Sequence, residues 1–184
     1  THKYNSGKVL IIAGSLGMTG AAILATYGAL RIGAGLTITI APRSINEIYE
    51  NSIIEGMTLP LDDNNLGYLN MNNFDSIMAK VQWADCVLLG PGIGRDPSTQ
   101  ELIINLVKRI DKPLILDADG LFPFSNDLDQ LNKREFPLII TPHFGELSRL
   151  IGIKTDSIIS EFPEIMTNVM KSFQKTILAK QVPI

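Results

Sequence analysis

Val9-Leu10-Ile11-Ile12-Ala13, followed at once by Gly14-Ser15-Leu16-Gly17-Met18-Thr19-Gly20 and then by the helix-like segment Ala21-Ile32, decides the class of this protein. The first five residues are apolar without alternation, as expected of a strand covered on both faces, and strands of that kind belong to parallel sheets. The pattern returns at Leu36-Ile40, Cys86-Leu89, Leu114-Leu116, Leu138-Ile140 and Thr176-Leu178. Between several of these lie Ser98-Ile110, Gly145-Ile151 and Ile158-Phe173, where apolar residues recur at helical spacing. Alternating βα units predict a doubly wound α/β fold: a mostly parallel sheet with helices on both faces and right-handed crossovers.

The 184 residues and 20.2 kDa suit one domain, read over 1–184. Hydrophobic residues at 45% against 19% charged, with mean hydropathy +0.17, exclude a disordered chain. Sixteen Lys and Arg against nineteen Asp and Glu give a net charge of -3 with no basic run, which argues against nucleic acid or an anionic membrane as partner. The expected partners are small molecules. Cys86 is the lone cysteine, so no internal disulfide forms; inside an apolar strand it reads as inert core. No apolar run reaches the length of a membrane helix, and residues 1–8 lack a signal-peptide block, so the expectation is a soluble cytoplasmic protein. Homo-oligomerisation is left open.

Residues 59–73, rich in Asn and Asp, read as a surface loop. Thr176-Ile177-Leu178-Ala179 reads as an incoming strand with little chain after it, so the domain is expected to be incomplete at its C-terminal end.

Ligands of open α/β sheets collect at the carboxyl ends of the strands, so the residues after each apolar run are the candidates. Gly14–Gly20 opens into a helix whose start offers backbone N–H groups to an anion; equally, it is a tight turn with Thr19 as helix cap. It is neither a Walker loop nor GxGxxG. Gly90-Pro91-Gly92-Ile93-Gly94-Arg95-Asp96 leaves backbone bare enough for a ligand to approach, or serves only as a turn before Pro97-Ser98. Asp117-Ala118-Asp119 places two carboxylates on one side of an extended chain, suited to Mg²⁺ through water or to a phosphate-bound metal; both could instead cap local backbone. Thr141-Pro142-His143-Phe144-Gly145-Glu146 sets an imidazole and a carboxylate three apart at a helix start, for a substrate hydroxyl or amide and for metal-bound water, or as a capping arrangement with His143 idle. Trp83 reads as packing.

Taken together, Gly7–Ser15, Thr19–Ala22, Leu30–Leu36, Gly90–Gly94, Leu116–Gly120 and Thr141–Glu146 resemble, in order and spacing, the ADP/ATP-dependent NAD(P)H-hydrate dehydratases of the ribokinase-like superfamily. The resemblance implies a ribokinase-like fold and a repair reaction in which ATP or ADP, with Mg²⁺, activates the hydroxyl of NADHX or NADPHX, phosphate then leaving to restore the nicotinamide ring. It implies substrate contacts at Ala21, Gly92, Gly94 and His143, and metal or phosphate duties for Asp117, Asp119 and Glu146. Lys180, Val182 and Pro183 match the opening of the nucleotide-binding segment, with Gln181 where the family has glycine. The family's Gly-Gly-Ser/Thr-Gly-Asp signature, which supplies an anion hole and the catalytic base, has no counterpart here, so the base is expected beyond Ile184. Two other readings stand beside this one: a ribokinase-like kinase of a small alcohol, and a non-catalytic fragment or binding protein.

Overall fold

The computed structural model describes residues 6–180. Its centre is a parallel sheet of seven strands: β1 (Lys8–Ile12), β2 (Leu36–Pro42), β3 (Met57–Leu61), β4 (Cys86–Leu89), β5 (Leu114–Leu116), β6 (Leu138–Ile140) and β7 (Thr176–Ile177). They lie in the order β3-β2-β1-β4-β5-β6-β7, every pairing parallel. The order reverses between β1 and β4, which makes that crevice the topological switch point of a doubly wound sheet. The registers align one apolar row across all seven strands: Leu59, Ile40, Ile12, Leu89, Leu116, Ile140 and Ile177. Gly90, Asp117 and Thr141 each follow directly after it.

Alternation along β1 divides the core in two. Leu10 and Ile12 face one layer, where they join Leu69, Ile77, Leu102, Leu106 and Phe124 under α3 (Phe74–Val81) and α4 (Pro97–Arg109). Ile11 and Ala13 face the other, with Ala22 of α1 (Thr19–Arg31) and Ile45, Tyr49 and Ile53 around α2 (Asn46–Ser52). The short α5 (Leu128–Asn132) precedes β6; α6 (Phe144–Ile151), α7 (Thr155–Ser160) and α8 (Phe162–Ser172) form a smaller cluster around Leu147, Ile158 and Ile165, with Phe144 and Phe162 stacked at 5.2 Å. Trp83 packs on the main core. Among the described residues no helix is long and apolar enough to cross a membrane.

Several local expectations are corrected. The stretch 59–73 is not all loop, because residues 57–61 form β3, an edge strand that tolerates Pro60 since one of its sides needs no partner. Pro163 divides the helix expected over 158–173: it lacks an N–H and sits in the first turn of α8, where none is needed. Thr19 is the first residue of α1 and not its cap; Met18 holds the cap position without a side-chain bond.

Candidate active site at the strand ends

Four loops meet at the carboxyl ends of β1, β4, β5 and β6, and hydrogen bonds tie each to the next. Gly14 N–H donates to Pro91 O at 2.8 Å and Ser15 Oγ to Gly92 O at 2.8 Å, closing the two sides of the switch-point crevice. Gly92 lies so near α1 that a Cβ there would stand 2.9 Å from the Ala21 Cβ, so Ala21 and the buried Gly92, separated by 71 positions, pack directly against each other. Gly94 N–H donates to Asp119 Oδ2 at 3.2 Å, and Arg95 Nε to Asp119 Oδ1 at 2.7 Å, joining the β4 loop to the β5 loop. Thr141 Oγ1 donates to Asp117 Oδ1 at 2.7 Å, which joins β5 to β6. Lys180 Nζ reaches the same Asp117 oxygen at 2.5 Å, and Lys180 bridges to His143 in parallel β fashion. The result is a continuous polar seam from Gly14 to Lys180.

The two aspartates do not share a side. Ala118 adopts φ 52°, in the left-handed region, and residues 118–124 wind into a 3-10 helix, so the extended geometry assumed for an i, i+2 pair is lost. Asp117 turns toward Thr141 and Lys180, Asp119 toward Gly94 and Arg95. Neither side chain caps the helix that follows. This divergence depends on how closely the loops pack: Gly90 has φ 121°, and a Cβ on it would stand 2.1 Å from Asp117 O. A side chain at position 90 would force the β4 and β5 loops apart.

His143 is itself the cap of α6, in place of the arrangement around Thr141. Its Nδ1 accepts Gly145 N–H at 3.0 Å and Glu146 N–H at 3.3 Å, while Glu146 Oε2 accepts His143 N–H at 2.9 Å, a reciprocal capping box. With Nδ1 committed as acceptor, the neutral ring carries its proton on Nε2, 3.4 Å from Glu146 Oε1. The imidazole is 55% exposed, so this N–H can reach a bound molecule. Capping and ligand contact are therefore compatible.

Mg²⁺, implied by the family, does not fit these side chains as an ion held by protein alone. Asp117 is paired with Lys180 and Asp119 with Arg95, and Glu146 is buried in the capping box. Among the described residues no group of three or more His, Cys, Asp and Glu is gathered to hold a metal, so Asp117, Asp119 and Glu146 do not assemble as the joint metal site the sequence suggested. Gln181, Val182 and Pro183 lie outside the described residues, and of the expected nucleotide contacts only Lys180 is seen. Ser15 and Arg95, to which the sequence assigns no role of their own, hold the seam together; their signal is position, each directly after a glycine of a strand-end loop, Gly14 and Gly94.

A cavity of about 820 Å³ lined by Val107, Phe124, Arg134 and Phe136 sits elsewhere. There Arg134 donates to the carbonyls of Val107, Ile110 and Lys112, just before β5, at the amino end of the strands. Burial lowers its pKa to about 10, with Asp111 acting in the opposite sense. Cys86 is partly buried, and burial pushes its thiol up, away from the reactive thiolate.

A family model described as NAD(P)H-hydrate dehydratase matches residues 9–182. The chain is 35% identical over 179 residues to the bifunctional NAD(P)H-hydrate repair enzyme Nnr of Moorella thermoacetica, covering 97% of this chain and 34% of that one. To the ATP-dependent (S)-NAD(P)H-hydrate dehydratase of Aedes aegypti it is 31% identical over 170 residues, 89% of this chain and 48% of the other. Among solved structures, the Bacillus subtilis ADP/ATP-dependent NAD(P)H-hydrate dehydratase co-crystallised with ATP/Mg²⁺ superposes with a TM-score of 0.73 at 27% identity, over 98% of this chain and 60% of that one. The chain thus spans between a third and three fifths of the length of these relatives.

Proposed function

Because this chain belongs to the NAD(P)H-hydrate dehydratase family, we propose that it carries the dinucleotide-receiving wall of an enzyme that dehydrates NADHX and NADPHX at the expense of ATP or ADP. The observation that carries this reading is the seam itself: Ala21, Gly92 and Gly94 lie about the switch-point crevice, and His143 stands two strands from it, beyond β6, on the same carboxyl edge of the sheet. Gly92 is buried against Ala21 and Met18, so the half-buried Ala21 and Gly94 are what this wall presents to a ring, and the Nε2–H of the half-exposed His143 side chain is a donor for a hydroxyl or amide oxygen. Lys180, held on Asp117, supplies positive charge toward the nucleotide phosphates.

Phosphorylation makes the hydrate hydroxyl a leaving group, and loss of phosphate and a proton restores the dihydronicotinamide. These residues contribute binding and orientation, the larger part of catalysis in phosphoryl transfer. No base is assigned among them. Mg²⁺ would arrive as a companion of the nucleotide phosphates, since the carboxylates are already paired. A cytoplasmic location suits a repair enzyme of a soluble cofactor.

The test is to incubate the protein with NADHX, MgCl₂ and either ATP or ADP and follow the return of reduced-nicotinamide absorbance, with calorimetric titration of NADHX alongside. Nucleotide-dependent return supports the dehydratase; a stable phosphate ester of a small alcohol would favour a kinase; binding without turnover would favour a binding protein. Absence of NADHX binding would refute the assignment of the wall.

A further inference from the structure

Among the described residues, Arg95 is the cation of the seam whose two Nη groups are unused. Its Nε donates to Asp119 Oδ1 at 2.7 Å, and the other oxygen of the same carboxylate takes the Gly94 N–H at 3.2 Å, so a single aspartate clamps both the loop backbone and the guanidinium. The guanidinium carbon lies 4.7 Å from the centroid of the Phe122 ring. Held on one edge by a carboxylate and on one face by an aromatic ring, the group is fixed in orientation before any ligand arrives, which lowers the ordering cost of binding. Among the described residues neither of its Nη groups has a hydrogen-bond partner, and the side chain is 48% exposed.

The cleft beside it, lined also by Arg149 and Glu146, has a volume of only about 10 Å³, so a phosphate would sit at its mouth and not within it. Glu146 is committed to the His143 N–H, so two guanidinium groups share the cleft with one engaged carboxylate. With Asp119 on Arg95 counted as well, the charges balance, so it is the unpaired Nη fork of Arg95 and not a net charge that suits an anion, its planar geometry matching a phosphate's oxygens. A stabilising role alone would be a weak reason for this construction, since half-exposed ion pairs contribute little to folding.

We propose that Arg95 is a phosphate-recognition residue for the dinucleotide, with Arg149 across the cleft as its lesser partner. The proposal rests on the dinucleotide reading given above and names a residue that reading does not use. A phosphate could come from two parts of the substrate. The bridging diphosphate is present in both NADHX and NADPHX; the 2′-phosphate of the adenosine ribose is present in NADPHX alone.

Calorimetric titration of the unaltered protein, Arg95→Gln, Arg95→Lys and Arg149→Gln with NADHX and with NADPHX tests this. Arg95→Gln is expected to weaken binding about ten-fold or more, the scale of a lost charge-assisted hydrogen bond. Arg95→Lys, which keeps the charge without the fork, should recover part of it, and Arg149→Gln should show a smaller loss. Equal losses for both ligands assign the diphosphate; a loss confined to NADPHX assigns the 2′-phosphate. If both affinities of Arg95→Gln stay within about two-fold of the unaltered protein, this proposal is wrong while the dinucleotide reading stands. If the unaltered protein binds neither ligand, that reading falls and this one with it. A purely structural Arg95 would lower the Tm of Arg95→Gln and leave both affinities unchanged.

Discussion

Replacing Gly90 by alanine should be among the most damaging single-methyl changes in the protein. Two independent costs fall on one atom. The first is conformational: an L side chain at φ 121° is strained, and such positions cost on the order of 1–3 kcal/mol. The second is steric, because the new Cβ would meet Asp117 O at 2.1 Å and the Cα and N of Gly120 at 2.7 Å. All three are backbone atoms and none can swing aside, so relief requires the β4 and β5 loops to separate, at a further ~1–3 kcal/mol typical of overpacking. The sum of about 2–6 kcal/mol is a large share of the roughly 5–15 kcal/mol by which a domain is stable. It corresponds to a drop in Tm of about 4–24 °C for a chain of this length. Gly17→Ala is the control. Gly17 has φ 83° and open space where its Cβ would stand, so only the conformational cost of about 1–2 kcal/mol applies. Urea and thermal unfolding of both variants measure the difference. If Gly90→Ala is no less stable than Gly17→Ala, the backbone contact does not control the approach of the two loops, and the account of how Asp117 and Asp119 are aimed fails with it.

Two further outcomes follow from buried groups away from the seam. Tyr49 is fully buried with no hydrogen-bond partner for its hydroxyl among the described residues, and burial pushes its pKa from 10.0 up to about 12. Its contribution is intact below pH 10; above that the unfolded chain ionises while the folded one does not, so stability falls with rising pH by up to ~1.4 kcal/mol per pH unit until the folded group titrates. Tyr49→Phe should remove that part of the alkaline loss and leave neutral-pH stability equal or about 1 kcal/mol higher, read from urea midpoints between pH 8 and about 11.5; an unchanged alkaline slope would count against the assignment. Arg134→Leu should cost about 2–4 kcal/mol, because three buried carbonyls lose their donor, yet leave dinucleotide affinity untouched at the far end of the strands. A fall in affinity of the folded variant would show that the two ends are coupled.

The strand centres were legible because β1, β4, β5 and β6 are unbroken apolar runs; burial on both faces explains this for β1 from Leu10 on, whereas in β4 and β5 alternate residues are half-buried and in β6 Ile139 is exposed. β3 was not, since Met57-Thr58-Leu59-Pro60-Leu61 is half-buried, contains proline, and adjoins an Asn- and Asp-rich stretch that reads as solvent-facing. That stretch is in fact ordered from within. Asp63 is buried; burial alone would raise its pKa, but hydrogen bonds from Ser44 and Gly67 outweigh it and hold the carboxyl below its ordinary value. Asn70 and Asn73 form a capping box ahead of α3. Its Asn-x-x-Asn spacing marks the start of that helix, whose apolar residues Phe74, Ile77, Met78 and Val81 recur at helical spacing. At the site, the position of each candidate was readable from strand ends, whereas its direction was not. Nothing in Asp117-Ala118-Asp119 announces that the middle residue is left-handed; that follows from Gly90 and Gly120 drawing the loops together, a contact between distant segments.

The apolar row that crosses all seven strands gives the loops a common datum, as a floor laid level lets each wall be built separately. An inserted residue in a loop above it is absorbed where it occurs. One inserted within Leu114–Leu116 would raise Asp117 by about 3.3 Å against Thr141 and reverse which layer every later side chain faces. That displacement exceeds the span of a hydrogen bond, and the link between β5 and β6 at the seam would open. Away from close contacts such as Gly90, variation is thus tolerated above the row and forbidden within it, so a lineage can revise the ligand this edge accepts, loop by loop, without rebuilding the ground beneath.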